Sequence, residues 1–246
     1  MMKEQTENTL TNQKVVIMGG SSGIGLATAK AVANEGAQVT IVSSNAQRLN
    51  EALTQLPANS AAQVVDLSNE EHIKTFFEQN GAFDHLVYTA GENIVLDQLK
   101  DTDLKRAQRY FMIRYWGAVA AVKYATPYLD KAGSITLTSG IASCRPGKGW
   151  WLGSSITSAM EGYMRAMAVE LAPLRVNAVS PGVVRTNLWD SIPEDERERY
   201  YNTVGNSLLV ERVGEADDIA LTYLYLMKQR FGTGQVIIVD GGAVLV

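Results

Sequence analysis

The strongest constraint on the fold of this chain is the regular alternation of short apolar runs with longer segments of helical pattern. The runs are Val15–Met18, Val39–Val42, Gln63–Val65, His85–Tyr88, Ser134–Leu137, Arg175–Val179 and Val236–Val239. They are rich in β-branched residues and nearly continuous, as expected of strands covered on both faces. Between them lie helical windows, of which the two longest cover about 101–126 and 153–172. This alternation predicts an α/β protein with a seven-stranded parallel sheet, right-handed crossovers and helices on both faces.

The 246 residues fit one domain, which we place at residues 13–246. A chain of this length buries about three quarters of its unfolded surface and needs no disulfide to be stable. Residues 1–12 are polar and are predicted to form a flexible tail. The segment 186–210 interrupts the alternation after the sixth run. We predict that it forms a substrate lid above the carboxyl ends of the strands, where ligands bind in open α/β sheets.

Composition excludes several classes of function. The 22 Lys and Arg residues against 26 Asp and Glu residues give a net charge of −4, unlike the basic surface that nucleic-acid binding needs. A single cysteine, Cys144, forbids an internal disulfide, and only two histidines, His72 and His85, argue against a metal site. The sequence has no apolar stretch of about 18 residues and no signal-peptide core. We therefore expect a cytoplasmic protein that acts on a small molecule and binds neither nucleic acid nor a membrane.

A glycine-rich turn follows the first apolar run. It reads Gly19-Gly20-Ser21-Ser22-Gly23-Ile24-Gly25 and leads directly into a helical pattern. Glycines let the backbone turn tightly and approach a pyrophosphate, and the helix N-terminus offers free N–H groups and a positive dipole end. An ordinary βα turn also contains glycine, but the strand before and the helix after favour dinucleotide binding. These features predict a single-domain Rossmann fold.

The end of the second apolar run indicates which dinucleotide binds. NAD usually requires an acidic residue there to hold the ribose 2′-hydroxyl. This chain has Ser43, Ser44 and Asn45, followed by Arg48, and its first carboxylate in this region is Glu51. Small hydrogen-bonding side chains and an arginine suit a 2′-phosphate, so NADP is favoured over NAD. The alternative is that these residues form only a polar loop and a helix N-cap.

These motifs together resemble the short-chain dehydrogenase/reductase family over about residues 13–246. The resemblance rests on the glycine spacing, on Asp66-Leu67, on Ala90-Gly91, on Ser139, on the segment 175–182 with Val184 and Thr186 after it, and on the terminal Asp240-Gly241-Gly242. It implies that Asp66 and Leu67 flank the adenine, that Ala90 and Gly91 flank the ribose, and that residues 181–186 hold the nicotinamide carboxamide. The resemblance also implies a homotetramer or homodimer.

The predicted cofactor residues follow from the glycine turn, the end of the second run and this resemblance. They are Gly19, Ser21, Ser22, Gly23, Ile24, Gly25, Ser43, Ser44, Asn45, Arg48, Asp66, Leu67, Thr89, Ala90, Gly91, Thr138, Pro181, Gly182, Val184 and Thr186.

The catalytic residues of that family do not carry over as a set. Members usually use an Asn, a Ser, a Tyr and a Lys, and only the Ser is matched cleanly, as Ser139. Counting back along the helix that contains Glu161-Gly162-Tyr163 places the Tyr position at Gly153 and the Lys position at Thr157. The sequence has no Tyr between Tyr128 and Tyr163 that could restore the motif.

Arginine stands at the family's Asn position, at Arg114, within an otherwise apolar or small helical stripe. A buried arginine is unfavourable unless it is paired or reaches a polar cavity. One interpretation is that Arg114 pairs with a carbonyl or an acid and braces the helix. The other is that its guanidinium fills the space of the missing Lys and stabilises an alkoxide, although arginine cannot release a proton.

Two functions are consistent with these residues. The first is an atypical NADP(H)-dependent oxidoreductase that acts on a small carbonyl or alcohol, with Ser139 and Arg114 as catalytic residues and no metal. The second is a catalytically inactive NADP(H)-binding sensor or partner subunit, because both the Tyr and the Lys positions are lost.

Overall fold

The computed structural model describes residues 9–246, in which the seven apolar runs form one parallel sheet. Its strands are β1 (Lys14–Met18), β2 (Gln38–Ser43), β3 (Ala61–Val64), β4 (Phe83–Tyr88), β5 (Leu129–Thr138), β6 (Arg175–Pro181) and β9 (Val236–Val239), with a separate pair β7 (Val184–Arg185) and β8 (Gly214–Glu215). The order is β3-β2-β1-β4-β5-β6-β9. The predicted seven-stranded parallel sheet of a Rossmann fold is confirmed.

Eight helices accompany the strands in this part of the chain. They are α1 (Gly23–Asn34), α2 (Ala46–Leu53), α3 (Glu70–Asn80), α4 (Leu104–Phe111), α5 (Ala118–Ala125), α6 (Trp151–Glu170), α7 (Glu194–Ser207) and α8 (Ala216–Lys228). Helices α1, α2 and α8 contribute to the buried cluster on one face of the sheet, and α3, α5 and α6 contribute to the cluster on the other. Successive residues of β1 alternate between the two clusters, as the period of a strand requires.

The strand order reverses between β1 and β4. The chain runs outward from β1 to β3 and then returns to place β4 on the other side of β1. A crevice opens at such a reversal, outside the carboxyl ends of the strands, and ligands of doubly wound folds bind there. The fold therefore places the glycine turn after β1 beside the segment that follows β4.

The predicted helix over 101–126 is not continuous. A π-helical turn (Met112–Gly117) separates α4 from α5. The Tyr88 hydroxyl donates to the Ile113 carbonyl at 2.5 Å, and a Cβ on Gly117 would lie 2.5 Å from both the Tyr88 oxygen and the Leu67 carbonyl. The widened turn makes room for the Tyr88 phenol, which enters it from β4. A side chain inserted into the hydrogen-bond ladder of a helix distorts the helix in this way.

Other local features are set by side-chain caps. Asn69 caps α3, because its side chain accepts hydrogen bonds from the amides of Glu71 and His72 at 3.0 and 3.2 Å. The short helix α2 begins directly after the polar residues that end β2, with Asn45 as its N-cap. Residues 1–8 of the predicted tail lie outside the described residues, but Leu10 is 1% exposed and packs in the core, so the ordered chain begins before residue 13.

The segment 186–210, for which we predict a substrate lid, contains a short turn (Asn187–Trp189) and most of its remaining residues form helix α7. Trp189 and Tyr201 are buried there against Val213.

No helix within residues 9–246 is both long enough and apolar enough to cross a membrane. In the same residues, no group of His, Cys, Asp or Glu side chains is arranged to hold a metal ion.

Candidate active site

One cavity of about 920 Å³ lies at the carboxyl ends of the central strands. Its walls include every residue that the sequence analysis assigned to cofactor binding, together with Ser139 and Arg114. The cavity thus brings together residues as far apart in the sequence as Gly19 and Val246. It runs from the end of β2, past the glycine turn, to the space between α4, α6 and the predicted lid.

The glycine turn forms one wall of the cavity, and it leaves no space for a side chain at Gly19 or Gly25. Gly19 has φ +90°, and a Cβ on it would lie 2.6 Å from the Ala90 nitrogen. A Cβ on Gly25 would lie 2.2 Å from the Gly19 carbonyl oxygen. The Ser22 side chain makes no capping hydrogen bond to α1, so it does not occupy the amides of the first turn. Such a turn at a helix N-terminus can hold an anionic pyrophosphate.

The end of β2 presents polar groups and a free cation. Asn45 caps α2 by accepting from the Arg48 amide at 2.9 Å, and Ser43 accepts from the Asn45 amide at 3.3 Å. The N-cap interpretation is therefore correct for the Asn45 side chain. Ser44 and Arg48 are exposed, and within residues 9–246 the Arg48 guanidinium has no hydrogen-bond or ion-pair partner. Glu51 is engaged by Gln47 at 2.9 Å.

The residues after β3 and β4 complete the cofactor end of the cavity. Asp66 accepts from the Ser68 hydroxyl and amide at 2.7 and 2.9 Å, and these bonds hold the pKa of its carboxyl below the usual value. Thr89 donates to the Met18 carbonyl at 3.1 Å and ties the end of β4 to β1. Thr138 donates to the Tyr88 carbonyl at 2.6 Å.

Arg114 reaches into the cavity from the π-helical turn. Its Nη2 donates to the Glu92 carbonyl oxygen, and its Cζ lies 4.8 Å from the centre of the Tyr110 ring. A Cβ on Gly91 would lie 2.6 Å from Arg114 Cζ, so the guanidinium lies flat against that glycine. The Nε is buried and has no hydrogen-bond partner among the described residues 9–246. Arg114 thus makes the contact with a backbone carbonyl that the first interpretation expects, and it also lines the cavity, as the second interpretation requires.

The helix α6 forms the opposite wall and carries no ionisable group at its start. Gly153 faces the Trp150 ring, whose Cε3 would lie 3.6 Å from a Cβ on that glycine. The Thr157 hydroxyl donates to the Gly153 carbonyl at 2.9 Å. Ser139 donates to Glu161 Oε1 at 3.0 Å and lies 3.2 Å from the Thr157 carbonyl.

Aromatic side chains line the far end of the cavity. The ring centres of Trp150 and Trp189 are 6.2 Å apart, and those of Trp189 and Tyr200 are 5.1 Å apart. Trp189 is held in place because its indole N–H donates to the Val184 carbonyl at 3.0 Å. This wall suits an apolar or flat ligand.

Sequence reasoning missed two residues of this site. Glu161 is one, because its contact with Ser139 joins β5 to α6 across 22 positions. Tyr110 is the other: it is 5% exposed, yet it lines the cavity beside Arg114. The spacing of four residues between Tyr110 and Arg114 was a usable signal, because residues so spaced share a helix face.

Comparisons with known proteins decide the family. A family model described as enoyl-(acyl carrier protein) reductase matches residues 19–244. A short-chain dehydrogenase/reductase of Stachybotrys chlorohalonatus, ATR9, is 33% identical over 96% of this chain and 99% of its own length. Another from Acremonium sp., ucsE, is 32% identical over 99% of this chain and 100% of its own length. The chain belongs to the short-chain dehydrogenase/reductase family. Its enzyme class is therefore that of an NAD(P)-dependent oxidoreductase.

Solved structures agree with this family assignment. A small-chain dehydrogenase in complex with NADPH is 36% identical, with a TM-score of 0.85 over 96% of this chain and 100% of that one. The reductase/Diels-Alderase MalC from Malbranchea aurantiaca is 31% identical, with a TM-score of 0.89 over 96% of this chain and 98% of that one. Gly153 and Thr157, which the sequence analysis places at the family's Tyr and Lys positions, both line the cavity from α6.

Proposed function

We propose that this protein is an NADP(H)-dependent oxidoreductase that transfers hydride to or from a small carbonyl or alcohol substrate. The observation that carries the proposal is the continuity of the cavity from the glycine turn to Arg114 and Ser139. A dinucleotide whose pyrophosphate is held at the glycine turn would extend its nicotinamide end toward Arg114 and Ser139 in this fold. The substrate then occupies the aromatic end, below the predicted lid.

The residues present fit a dinucleotide. A Cβ on Gly19 or Gly25 would collide with backbone atoms, which is the construction expected where a backbone closely approaches a pyrophosphate. The first turn of α1 would hold the phosphates, Asp66 and Leu67 the adenine, Ala90 and Gly91 the ribose, and residues 181–186 the carboxamide. The bound nicotinamide supplies the hydride chemistry, while the protein supplies binding and orientation.

The preference for NADP rests on the end of β2. Ser43, Ser44 and Arg48 line the cavity there, and the Arg48 guanidinium is unpaired within the described residues. An arginine holds a phosphate by charge-assisted hydrogen bonds, and a carboxylate at this place would repel it. The NADPH complex of the 36%-identical dehydrogenase supports the same cofactor.

Arg114 and Ser139 act on the substrate oxygen in this proposal. The Arg114 guanidinium places a permanent positive charge at the cavity wall, where it stabilises negative charge that develops on oxygen. Ser139 donates to Glu161, so its lone pairs are free to accept the hydroxyl proton of an alcohol. If the hydroxyl turns away from Glu161, it can donate to a carbonyl oxygen instead.

A direct test combines binding with turnover. NADPH and NADH are titrated by the change in protein and cofactor fluorescence, and cofactor oxidation is followed on a panel of ketones and aldehydes. We expect micromolar NADPH binding and a turnover that falls in Arg114→Ala and in Ser139→Ala. Binding without turnover above the level of the double variant would instead support the non-catalytic function, and absence of binding would refute both.

We also propose that copies of the chain assemble into a homodimer or homotetramer. Large apolar side chains are exposed on and around α8 and β9: Leu221 is 63% exposed, Tyr225 52% and Phe231 97%. A surface of this kind is typical of an interface. Light scattering of the wild type tests the assembly, and Leu221→Glu should shift it toward the monomer. A monomeric wild type would contradict the proposal. The cytoplasmic location remains a prediction.

A further inference from the structure

Tyr110 and Arg114 stand one helical turn apart on the same side of α4 and the π-helical turn. The guanidinium carbon of Arg114 lies 4.8 Å from the centre of the Tyr110 ring. Residues at i and i+4 face each other along a helix, so the pair needs no contact from another element to form. The spacing equals that between the Tyr and Lys positions of α6, which are Gly153 and Thr157 here.

Tyr110 and Arg114 line the same cavity as the two α6 positions where the Tyr and Lys are missing. Tyr110 packs in a small buried cluster with Ile156, which lies on α6 between Gly153 and Thr157. Tyr110, Arg114, Gly153 and Thr157 all line the cavity. The phenol therefore enters the reaction end from the helix opposite the one that usually carries it.

Three other hydroxyl groups near Arg114 already donate their protons to the protein. Ser139 donates to Glu161, Thr157 to the Gly153 carbonyl, and Thr138 to the Tyr88 carbonyl. The Tyr110 hydroxyl donates no hydrogen bond to any of the described residues 9–246. Of these four hydroxyl groups, Tyr110 is the one whose proton is available to a ligand.

The charges around Tyr110 suit an acid that gives up a proton and then recovers it. Burial raises the pKa of the phenol above its ordinary value, and the nearby Glu92 carboxylate acts in the same direction. The Arg114 guanidinium and the Val95 backbone amide lower the pKa, because both stabilise the phenolate. The phenol is consequently protonated at neutral pH. Once it has given up its proton, the Arg114 guanidinium stabilises the phenolate that remains.

We propose that Tyr110 is the proton donor of this enzyme, supported by Arg114, so that a Tyr-x-x-x-Arg pair on α4 and the π-helical turn replaces the Tyr-x-x-x-Lys pair of α6. This inference rests on the proposed function. In the reduction, the carbonyl carbon would gain a hydride supplied by the bound reduced cofactor, which would thereby be oxidised, and the C=O π electrons would move to the oxygen. The oxygen that gains that electron pair takes the proton from Tyr110 Oη. The phenolate, stabilised by Arg114, recovers a proton from solvent.

The pairing can be measured without any substrate. Fluorinated tyrosine, whose phenol titrates at lower pH, is incorporated at all tyrosines, and fluorine NMR signals are followed with pH. The Tyr110 signal is assigned by its loss in Tyr110→Phe. We expect Arg114→Met to raise the pKa of this phenol by at least about one unit, since one unit corresponds to about 1.4 kcal/mol. Arg114→Lys should largely retain the wild-type value because it keeps a cation.

Turnover tests the catalytic role separately. Tyr110→Phe keeps the ring and its packing but removes the proton, and loss of a general acid typically lowers rates about 10²–10⁴-fold. We expect kcat to fall by this factor while the Kd for NADPH changes less than about twofold. Tyr124→Phe, which alters a partly buried tyrosine bonded to Glu70 outside the cavity, serves as the control.

Three results would overturn the inference. The first is a fluorine titration at Tyr110 that does not respond to Arg114→Met. The second is a Tyr110→Phe enzyme that retains more than about a third of the wild-type kcat. The third is a loss of turnover in Tyr200→Phe but not in Tyr110→Phe, which would move the donor to α7. Failure of the wild type to bind NADPH would refute the proposed function, whereas the titration decides the pairing in either case.

Discussion

The Ser139 hydroxyl donates to Glu161 Oε1 across 3.0 Å, and this bond links the end of β5 to the middle of α6. The Glu161 side chain is 14% exposed, and its other oxygen lies 3.3 Å from Arg165 Nη2. A carboxylate this far from solvent depends on its donors, because an unpaired buried charge is strongly unfavourable. The serine is therefore part of the structure of the site as well as a candidate for its chemistry.

Removal of the Ser139 hydroxyl should weaken the fold. In Ser139→Ala, Glu161 loses a charge-assisted hydrogen bond in a mostly buried place, and we expect the free energy of unfolding to fall by about 1–2 kcal/mol. Urea unfolding followed by circular dichroism measures this loss. Ser155→Ala is the control, since Ser155 is an exposed helical serine on the same helix. Equal stabilities of the two variants would contradict the structural role.

Gly25→Ala should abolish NADPH binding. The added Cβ would lie 2.2 Å from the Gly19 carbonyl oxygen, so the turn must open and its amides move away from the phosphates. We expect the Kd to rise at least tenfold. Gly162→Ala is the matched control, because a Cβ there would meet no atom within 4 Å apart from its chain neighbours and the backbone of its own helix. In that exposed helical position alanine should stabilise the fold by about 0.5–1 kcal/mol. Unchanged NADPH affinity in Gly25→Ala would refute the placement of the pyrophosphate.

Arg48→Ala should weaken binding of NADPH and leave NADH nearly unaffected. One charge-assisted hydrogen bond contributes about 1.5–3 kcal/mol, which corresponds to at least a tenfold rise in Kd. Fluorescence titration with both cofactors measures the ratio. Arg109→Ala alters an exposed arginine of α4 that is not part of the cavity wall and should change neither affinity. If both cofactors weaken equally, Arg48 does not contact the 2′-phosphate.

His85 should make stability pH-dependent in mildly acidic solution. Burial, reinforced by the charge of Arg175, lowers the pKa of His85 from 6.5 to about 4. Between these values the unfolded chain binds the proton and the folded chain does not, so stability is full above about pH 6.5 and falls toward pH 4. We expect a loss of about 2 kcal/mol from pH 7 to pH 5.

Unfolding at the two pH values isolates the His85 contribution. His85→Asn should flatten the pH dependence by that amount, whereas His72→Gln, at an exposed position of α3, should retain it. Any overall destabilisation by His85→Asn does not affect this comparison, because the difference between the two pH values is what is measured. A wild-type pH dependence in His85→Asn would show that other groups cause it.

Tyr88→Phe should destabilise the protein through the π-helical turn. The phenol donates to the Ile113 carbonyl at 2.5 Å inside the widened turn, and its burial raises the pKa well above the ordinary range, so it stays protonated. Loss of this bond leaves a buried carbonyl without its donor, which lowers the free energy of unfolding by about 1–3 kcal/mol. Tyr128→Phe, at a partly buried position, should change it far less. Similar losses in both variants would count against this account.

The sheet was predictable because its signal is local. Each strand is an apolar run, and a buried parallel sheet requires such runs regardless of the rest of the sequence. The glycine turn was predictable for the same reason, since steric freedom at Gly19 and Gly25 belongs to the residues themselves. The predicted cofactor residues line one cavity because every parallel strand ends on the same side.

The parts that were not predicted depend on contacts between distant residues. The π-helical turn accommodates the side chain of Tyr88, which lies 25 positions before Ile113 in the sequence. The residue pattern of 101–126 contains no sign of this contact. The partner of Ser139 is likewise set by the packing of β5 on α6. Arg114 could be singled out from its apolar stripe, but its contacts with Gly91 and the Glu92 carbonyl required the fold.

The arginine that follows Val184 connects helix α7 to the strand pair of β7 and β8. Arg185 contacts Glu198 of α7 at 2.6 Å and Glu215 of β8 at 3.5 Å, and its guanidinium stacks 4.5 Å from the centre of the Tyr201 ring. These partly exposed charges are screened by dissolved ions. The two ion pairs of Arg185 are therefore weakened as the ionic strength rises, so the buffer salt is a variable of every stability measurement on this part of the fold.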